Sequence, residues 1–168
     1  MRVLIAFRSR YGTTEACSRS LAGQLKADTE CVDLARRGNV DARPFDVVLI
    51  GGSIYGGKIQ REVTWFCDRG REALLERRVG IFLCCLYRGE RAQAQLKAAF
   101  PSWLTAHAFS SGLFGGALRY DRLRLLDRLL LRGLAHPAGD VSTVRTEAIE
   151  AMAQAVNALL PGPPRGSS

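Results

Sequence analysis

Apolar and polar positions along this 168-residue chain fall into two kinds of run. Short unbroken aliphatic stretches fit strands buried on both faces, and longer stretches with apolar residues three or four apart fit amphipathic helices. RVLIAF (2–7) predicts the first strand, and a polar turn containing glycine follows it. Residues 13–26 predict a helix with Cys17, Leu21 and Leu25 on one face and Thr13 or Thr14 as its N-cap. TECVDL (29–34) is a weaker strand, whereas DVVLIG (46–51), introduced by the breaker Pro44, is a strong one.

Residues 60–77 predict a helix with Val63, Phe66, Cys67 and Leu74 facing inward. VGIFLCCLY (79–87) is the most apolar strand, and a polar helix follows near 90–99. HAFSSGLFGGA (107–117) predicts a last strand made irregular by Gly112, Gly115 and Gly116. Helices at about 121–134 and 142–160 close the chain. Alternation of apolar strands with helices is the pattern of a parallel sheet covered on both faces. The expectation is one doubly wound α/β domain over residues 1–160, followed by a disordered tail, PGPPRGSS (161–168).

Composition narrows the function more than the fold. Hydrophobic residues at 47% and charged residues at 24% are ordinary for a globular protein. The net charge of +8, carried mainly by Arg, points to an anionic partner: nucleic acid, an acidic membrane surface or an acidic small molecule. No nucleic-acid motif accompanies the charge, so nucleic acid is not expected. Five cysteines form no C-x-x-C pair and the two histidines, His107 and His136, lie far apart. That argues against zinc and against a disulfide framework, and fits a reducing cytoplasm. MRVLIAF is too short for a signal peptide, and no apolar run approaches the ~18 residues of a membrane span.

Two glycine-containing segments compete as phosphate sites. Gly52 to Lys58 fits G-x-x-x-x-G-K, but the next residue is Ile59, which offers no hydroxyl for magnesium. The turn after the first strand, SRYGTT, is the better cup. Ser9, Tyr11, Thr13 and Thr14 surround Gly12, Arg10 adds charge, and the amides of a helix N-terminus lie behind. A plain capped helix with a polar turn is the competing reading. Adjacent Cys84 and Cys85 fit small core residues better than a redox dithiol, since their disulfide would be a strained ring.

Ser9-Arg10-Tyr11-Gly12-Thr13-Thr14 resembles the phosphate loop of flavodoxins, Ser/Thr-x-Ser/Thr-Gly-x-Thr, with Tyr11 at the middle hydroxyl position. GGSIYGG after the third strand and CCLYRGE after the fourth fall where flavodoxins contact the isoalloxazine ring. The resemblance implies a flavodoxin-like five-stranded parallel sheet of order 2-1-3-4-5 with helices on both faces, and FMN at the switch point between the first and third strands. It implies flavin contacts from Ser9, Arg10, Tyr11, Gly12, Thr13 and Thr14, from Ser53, Ile54, Tyr55 and Gly56, and from Leu86, Tyr87, Arg88 and Gly89. Tyr55 and Tyr87 would cover the ring, and Arg88 would lie beside it. No side chain is assigned a catalytic role, because the flavin carries the chemistry.

GGALRYDRLRLLDRLLLR (115–132) is similar to the segment after the last strand in menaquinone-dependent protoporphyrinogen IX dehydrogenases, a flavodoxin-like family with a basic insert, here at about 117–140. IGGSIYGG likewise resembles that family's Ile-Gly-x-Ser-Ile-x-x-Gly. The implied activity is oxidation of protoporphyrinogen IX in haem biosynthesis, with electrons passed to a membrane quinone. Arg124, Arg128 and Arg132 form one stripe of the 121–134 helix opposite its leucines, so segment 119–134 would lie either on acidic lipid or against the domain. Arg119, Arg122 and Arg124 would meet substrate propionates. The implied location is cytoplasmic, peripheral to the inner face of the membrane. An electron carrier without its own substrate and a flavin-less partner-binding domain are the alternatives.

Overall fold

The computed structural model describes residues 1–118 and 141–160. Strands β1 (Arg2–Phe7), β2 (Asp28–Asp33), β3 (Val47–Tyr55), β5 (Arg78–Cys84) and β6 (Ser110–Gly115) form a parallel sheet of order β2-β1-β3-β5-β6. The two-residue β4 (Lys58–Ile59) folds back antiparallel on the end of β3. Counting only the parallel strands, the order is 2-1-3-4-5, the flavodoxin-like winding. Helices α1 (Thr13–Ala22), α2 (Arg61–Arg69), α3 (Arg71–Leu75), α4 (Gly89–Ala99), α5 (Ser102–His107) and α6 (Thr146–Asn157) fill the connections and the C-terminal end.

The unbroken apolar strands follow from burial on both sides. Along β1, Val3, Ile5 and Phe7 enter one cluster with Cys17 and Leu21 of α1 and Ile149, Met152 and Val156 of α6. Leu4 and Ala6 enter the other, with Val63 and Phe66 of α2, Leu74 of α3, Leu96 of α4 and Leu104 of α5. β3 and β5 divide their side chains in the same alternation, as the pleat requires. Each fully buried Leu, Ile or Phe contributes about 1.5–3 kcal/mol, so the two clusters carry most of the fold's stability. Edge strand β2 is only partly buried, which is why its sequence signal is weak.

Several boundaries differ from the sequence expectation for local reasons. The helix expected over 60–77 breaks at Gly70, where a Cβ would sit 2.9 Å from the Phe66 carbonyl oxygen. The strand expected over 79–87 ends at Cys84, and α5 forms where the sequence pattern predicts no element. β3 runs on through Gly51 and Gly52 to Tyr55, because both glycines pair in register with Phe82 and Leu83 of β5. After β6 the chain passes into β7 (Ala117–Leu118) and returns in β8 (Val141–Ser142), which pair antiparallel. Arg119, Arg122, Arg124, Arg128, Arg132 and His136, the helix expected over 121–134 and the 161–168 tail all lie outside the described residues.

Candidate functional site

Parallel pairing puts the carboxyl ends of β1, β3 and β5 side by side, so the turns that follow them share one edge of the sheet. The winding reverses between β1 and β3, since the chain moves from β1 out to β2 and then across to β3. A crevice at such a reversal is where open α/β sheets place their ligands. The predicted segments 9–14, 53–56 and 86–89 all belong to this edge.

The turn after β1 is built to present backbone amides. Gly12 stands at the N-cap of α1 with φ 95°, a conformation that disfavours a side chain, and no side chain caps the helix. The expected Thr13 or Thr14 cap is therefore replaced by glycine. The Gly12 N–H donates to Ser9 Oγ at 3.1 Å, which folds the turn back on itself. Ser9 is buried, and Thr14 is buried deeper, its side chain against the Cys84 thiol. Of the predicted hydroxyls, Thr14 thus serves the packing of α1 on β5. A cavity of about 490 Å³ flanks the turn, lined by Arg8 to Gly12, Glu15, Asp33, Ala35 and Arg36. It opens on the β2 side, and neither Tyr55 nor Tyr87 lines it.

The first two turns touch. The Arg10 guanidinium lies 3.9 Å from the Tyr55 ring centroid, and Arg10 Nε donates to the Tyr11 hydroxyl at 3.1 Å. The Tyr11 and Tyr55 rings are 6.4 Å apart and tilted by 56°. Arg10 accordingly bridges the turn after β1 and the β3–β4 hairpin. Beneath it, Arg8 donates to the Ser9 carbonyl and pairs with Asp33 at 3.7 Å and Glu62 at 3.6 Å. Sequence reasoning passed over Arg8, because a single Arg after a strand carries no motif.

The hairpin differs from the loop expected over 51–57. Only Gly56 and Gly57 turn, with φ 57° and 78°, the paired positive values of a two-residue type I′ hairpin. Gly51 and Gly52 are instead packing positions. A Cβ on Gly51 would sit 1.9 Å from Phe82 Cζ, and one on Gly52 would sit 2.7 Å from Ile59 Cδ1. Ile59 is therefore a cover for Gly52, and no helix follows Lys58 directly, which removes the nucleoside-triphosphate reading. The Ser53 N–H donates to Gln60 Oε1 at 3.0 Å and Gln60 Nε2 donates to Ser53 Oγ at 2.6 Å. Both Ser53 groups are thus engaged within the protein, and Gln60, which sequence reasoning missed, locks the hairpin. Ile54 and Tyr55, the other two predicted hairpin residues, pair with Ile59 and Lys58.

The third turn is the most open. Leu86 is half-buried, Tyr87 is 45% exposed and carries Arg91 over its ring at 6.0 Å. Arg88 is the exposed N-cap of α4, and Gly89 has φ 58°. Arg145 donates to the Tyr87 carbonyl at 3.1 Å, tying this turn to the chain that returns before α6. The Cys84 thiol beneath is pushed above its ordinary value by the Cys17 thiol beside it and by burial. Burial likewise pushes Cys85 up against the opposing pull of Arg145. Both are neutral core thiols at physiological pH and form no disulfide.

A family model described as Flavodoxin domain matches residues 4–144, most of the chain. The chain belongs to the flavodoxin-domain family. Solved structures agree with its fold. The flavodoxin, WrbA-like protein of Agrobacterium tumefaciens aligns at 12% identity with a TM-score of 0.56, covering 94% of each chain. The flavodoxin of Streptococcus pneumonia TIGR4 aligns at 16% identity and a TM-score of 0.54, covering 95% of this chain and all of its own. Oxidised Flavodoxin 1 of Bacillus cereus aligns at 12% identity and 0.53, covering 96% of this chain and all of its own. No curated protein matches the sequence significantly. In this flavodoxin domain the donor set at the α1 N-terminus fits a flavin phosphate: a glycine at the cap, the amides of the first helical turn behind it, and arginine alongside. Among the described residues, no helix is long and apolar enough to cross a membrane, and no cluster of His, Cys, Asp or Glu fits a metal.

Proposed function

We propose that this flavodoxin domain binds FMN at the β1/β3 switch point and uses it to oxidise protoporphyrinogen IX, passing the electrons to a membrane quinone. The observation that carries the flavin reading is the turn 9–14, where Gly12 at the N-cap brings no side chain over the first-turn amides of α1. In this reading those amides and Arg10 hold the phosphate, while Tyr55 and Tyr87 flank the ring from adjacent turns. When bound, FMN supplies a ring that accepts hydride equivalents in successive rounds and releases electrons singly or in pairs. The chain's own residues bind, orient and shield it. Gln60 fixes the hairpin that carries Tyr55, and Arg145 fixes the backbone of Tyr87.

The substrate reading rests on the similarity of residues 115–132 to the protoporphyrinogen dehydrogenase family and on the arginines there, whose guanidinium forks suit propionates. The same arginines serve a membrane-facing role in this proposal, since the quinone acceptor resides in the bilayer. An electron carrier without a substrate is the second reading, and the family membership supports it equally. The charge of +8 disfavours it, because carriers of this type are typically acidic.

Purified protein reconstituted with FMN, then supplied with protoporphyrinogen IX and a menaquinone analogue, separates the two. Flavin-dependent porphyrin formation well above autoxidation supports the enzyme. Bound flavin with no turnover leaves the carrier, and a preparation that takes up no FMN rejects both.

A further inference from the structure

Helix α2 leaves the flavin edge of the sheet directly after the hairpin and carries an exposed stripe that its packing does not use. Val63, Phe66 and Cys67 face the core. On the other side, Arg61, Trp65 and Arg69 recur at every fourth position, one above another along the helix. The Arg61 guanidinium lies 4.9 Å and that of Arg69 5.8 Å from the Trp65 ring centroid. Trp65 is nevertheless 50% exposed, the most exposed large apolar side chain among the described residues.

The two guanidiniums share with Arg71 and Arg91 a place over an aromatic ring, and differ from the surface arginines that a carboxylate already holds. Arg19, Arg37 and Arg43 are each paired with a neighbouring carboxylate, Glu15, Glu30 and Asp41. Among the described residues, neither Arg61 nor Arg69 is ion-paired. Stacking on Trp65 restrains both forks, so less side-chain freedom is lost when they meet an acceptor. An indole between two guanidiniums has the composition of a binding hot spot, and each fork matches a carboxylate bidentately.

We propose that this stripe of α2 is a docking surface for a carboxylate-rich face of a protein partner. Charge complementarity selects carboxylates. The helix itself selects a protein over an anionic bilayer, because Trp65 is the one large apolar side chain on its exposed side. A lipid surface requires a broad apolar face, which α2 spends on the core. The proposal does not depend on flavin. A partner seated here lies next to Lys58 and the hairpin, at the edge of the sheet where the turns converge.

Trp65 and Trp103 are the two tryptophans of the chain, so Trp103→Phe makes the emission report on Trp65 alone. In that background, sodium poly-L-glutamate serves as the carboxylate probe, and vesicles of phosphatidylglycerol with phosphatidylcholine serve as the lipid arm. The expected result is a saturable change in Trp65 emission with poly-L-glutamate, protection of Trp65 from acrylamide, and weakening by added salt. Arg61→Gln with Arg69→Gln should raise the half-saturating concentration about tenfold or more. Arg19→Gln with Arg43→Gln removes the same formal charge elsewhere and should raise it less than about twofold, the change expected of screened surface charge. Equal weakening by both double variants would overturn the proposal, as would unchanged emission and unchanged quenching with poly-L-glutamate. A response to the anionic vesicles alone would assign the stripe to lipid and overturn it too. Matching circular dichroism spectra and thermal midpoints establish that the variants are folded.

Discussion

A methyl group on Gly51 would occupy the space of the Phe82 ring, which itself stacks on Phe114 at a centroid distance of 4.6 Å. Gly51→Ala is therefore an overpacking substitution and should cost about 1–3 kcal/mol. Urea denaturation measures it, and Phe82→Leu in the same chain should recover part of the loss; additive losses would contradict the packing account. Cys67 gives a pH signature. Burial first, and then the Asp68 charge, push its thiol up to about 12 from the ordinary 9.0. Above pH 9 the unfolded chain gives up a proton that the folded chain keeps, so stability falls as pH rises from 9 towards 12. Well below pH 9 the thiol is protonated in both states, and its titration leaves stability unchanged. Cys67→Ala should flatten part of that alkaline fall in urea midpoints measured from pH 8 to about pH 11, the range bracketing the ordinary thiol value; an unchanged slope would contradict it. Burial of Cys17, Cys67, Cys84 and Cys85 was legible from their places in apolar runs and on helix faces. The role of Gly51 was not, because a glycine that makes room for a ring from the neighbouring strand looks the same in sequence as one that turns.

At the scale of elements, the hairpin of β3 and β4 is held by two positive-φ glycines and by the Gln60 carboxamide across Ser53. Gln60→Ala leaves the Ser53 amide and hydroxyl without these partners, a loss of about 0.5–3 kcal/mol. The proposed position of Tyr55 depends on this lock. The variant should lower the thermal midpoint and weaken FMN binding several-fold, measured by fluorescence titration, while Gln60→Glu should keep the acceptor for the Ser53 N–H and recover part of both. Unchanged affinity in Gln60→Ala would separate the hairpin from the flavin site. The strand cores at 2–7, 46–51 and 79–84 were legible because their short unbroken apolar runs, rich in β-branched residues, fit strands buried on both faces. The break at Gly70 and the extension of β3 to Tyr55 were not. Both depend on contacts: one on the Phe66 carbonyl, the other on register with β5.

For the molecule as a whole, the winding order followed from alternating strand and helix signals together with the resemblance of three turns to a flavodoxin site, and the fold carries all three to one edge. What the sequence left open was how those turns meet. The bridge from Arg10 to Tyr55 joins residues 45 positions apart and has no local signature. The central claim is that the turn after β1 holds a phosphate, and FMN differs from riboflavin only in that group. Titrating the purified, flavin-depleted protein with each, following flavin fluorescence, tests it most directly. The account predicts that FMN binds at least tenfold more tightly, as expected for loss of even one charge-assisted hydrogen bond worth about 1.5–3 kcal/mol. Equal affinity for FMN and riboflavin, or no binding of either, would contradict it.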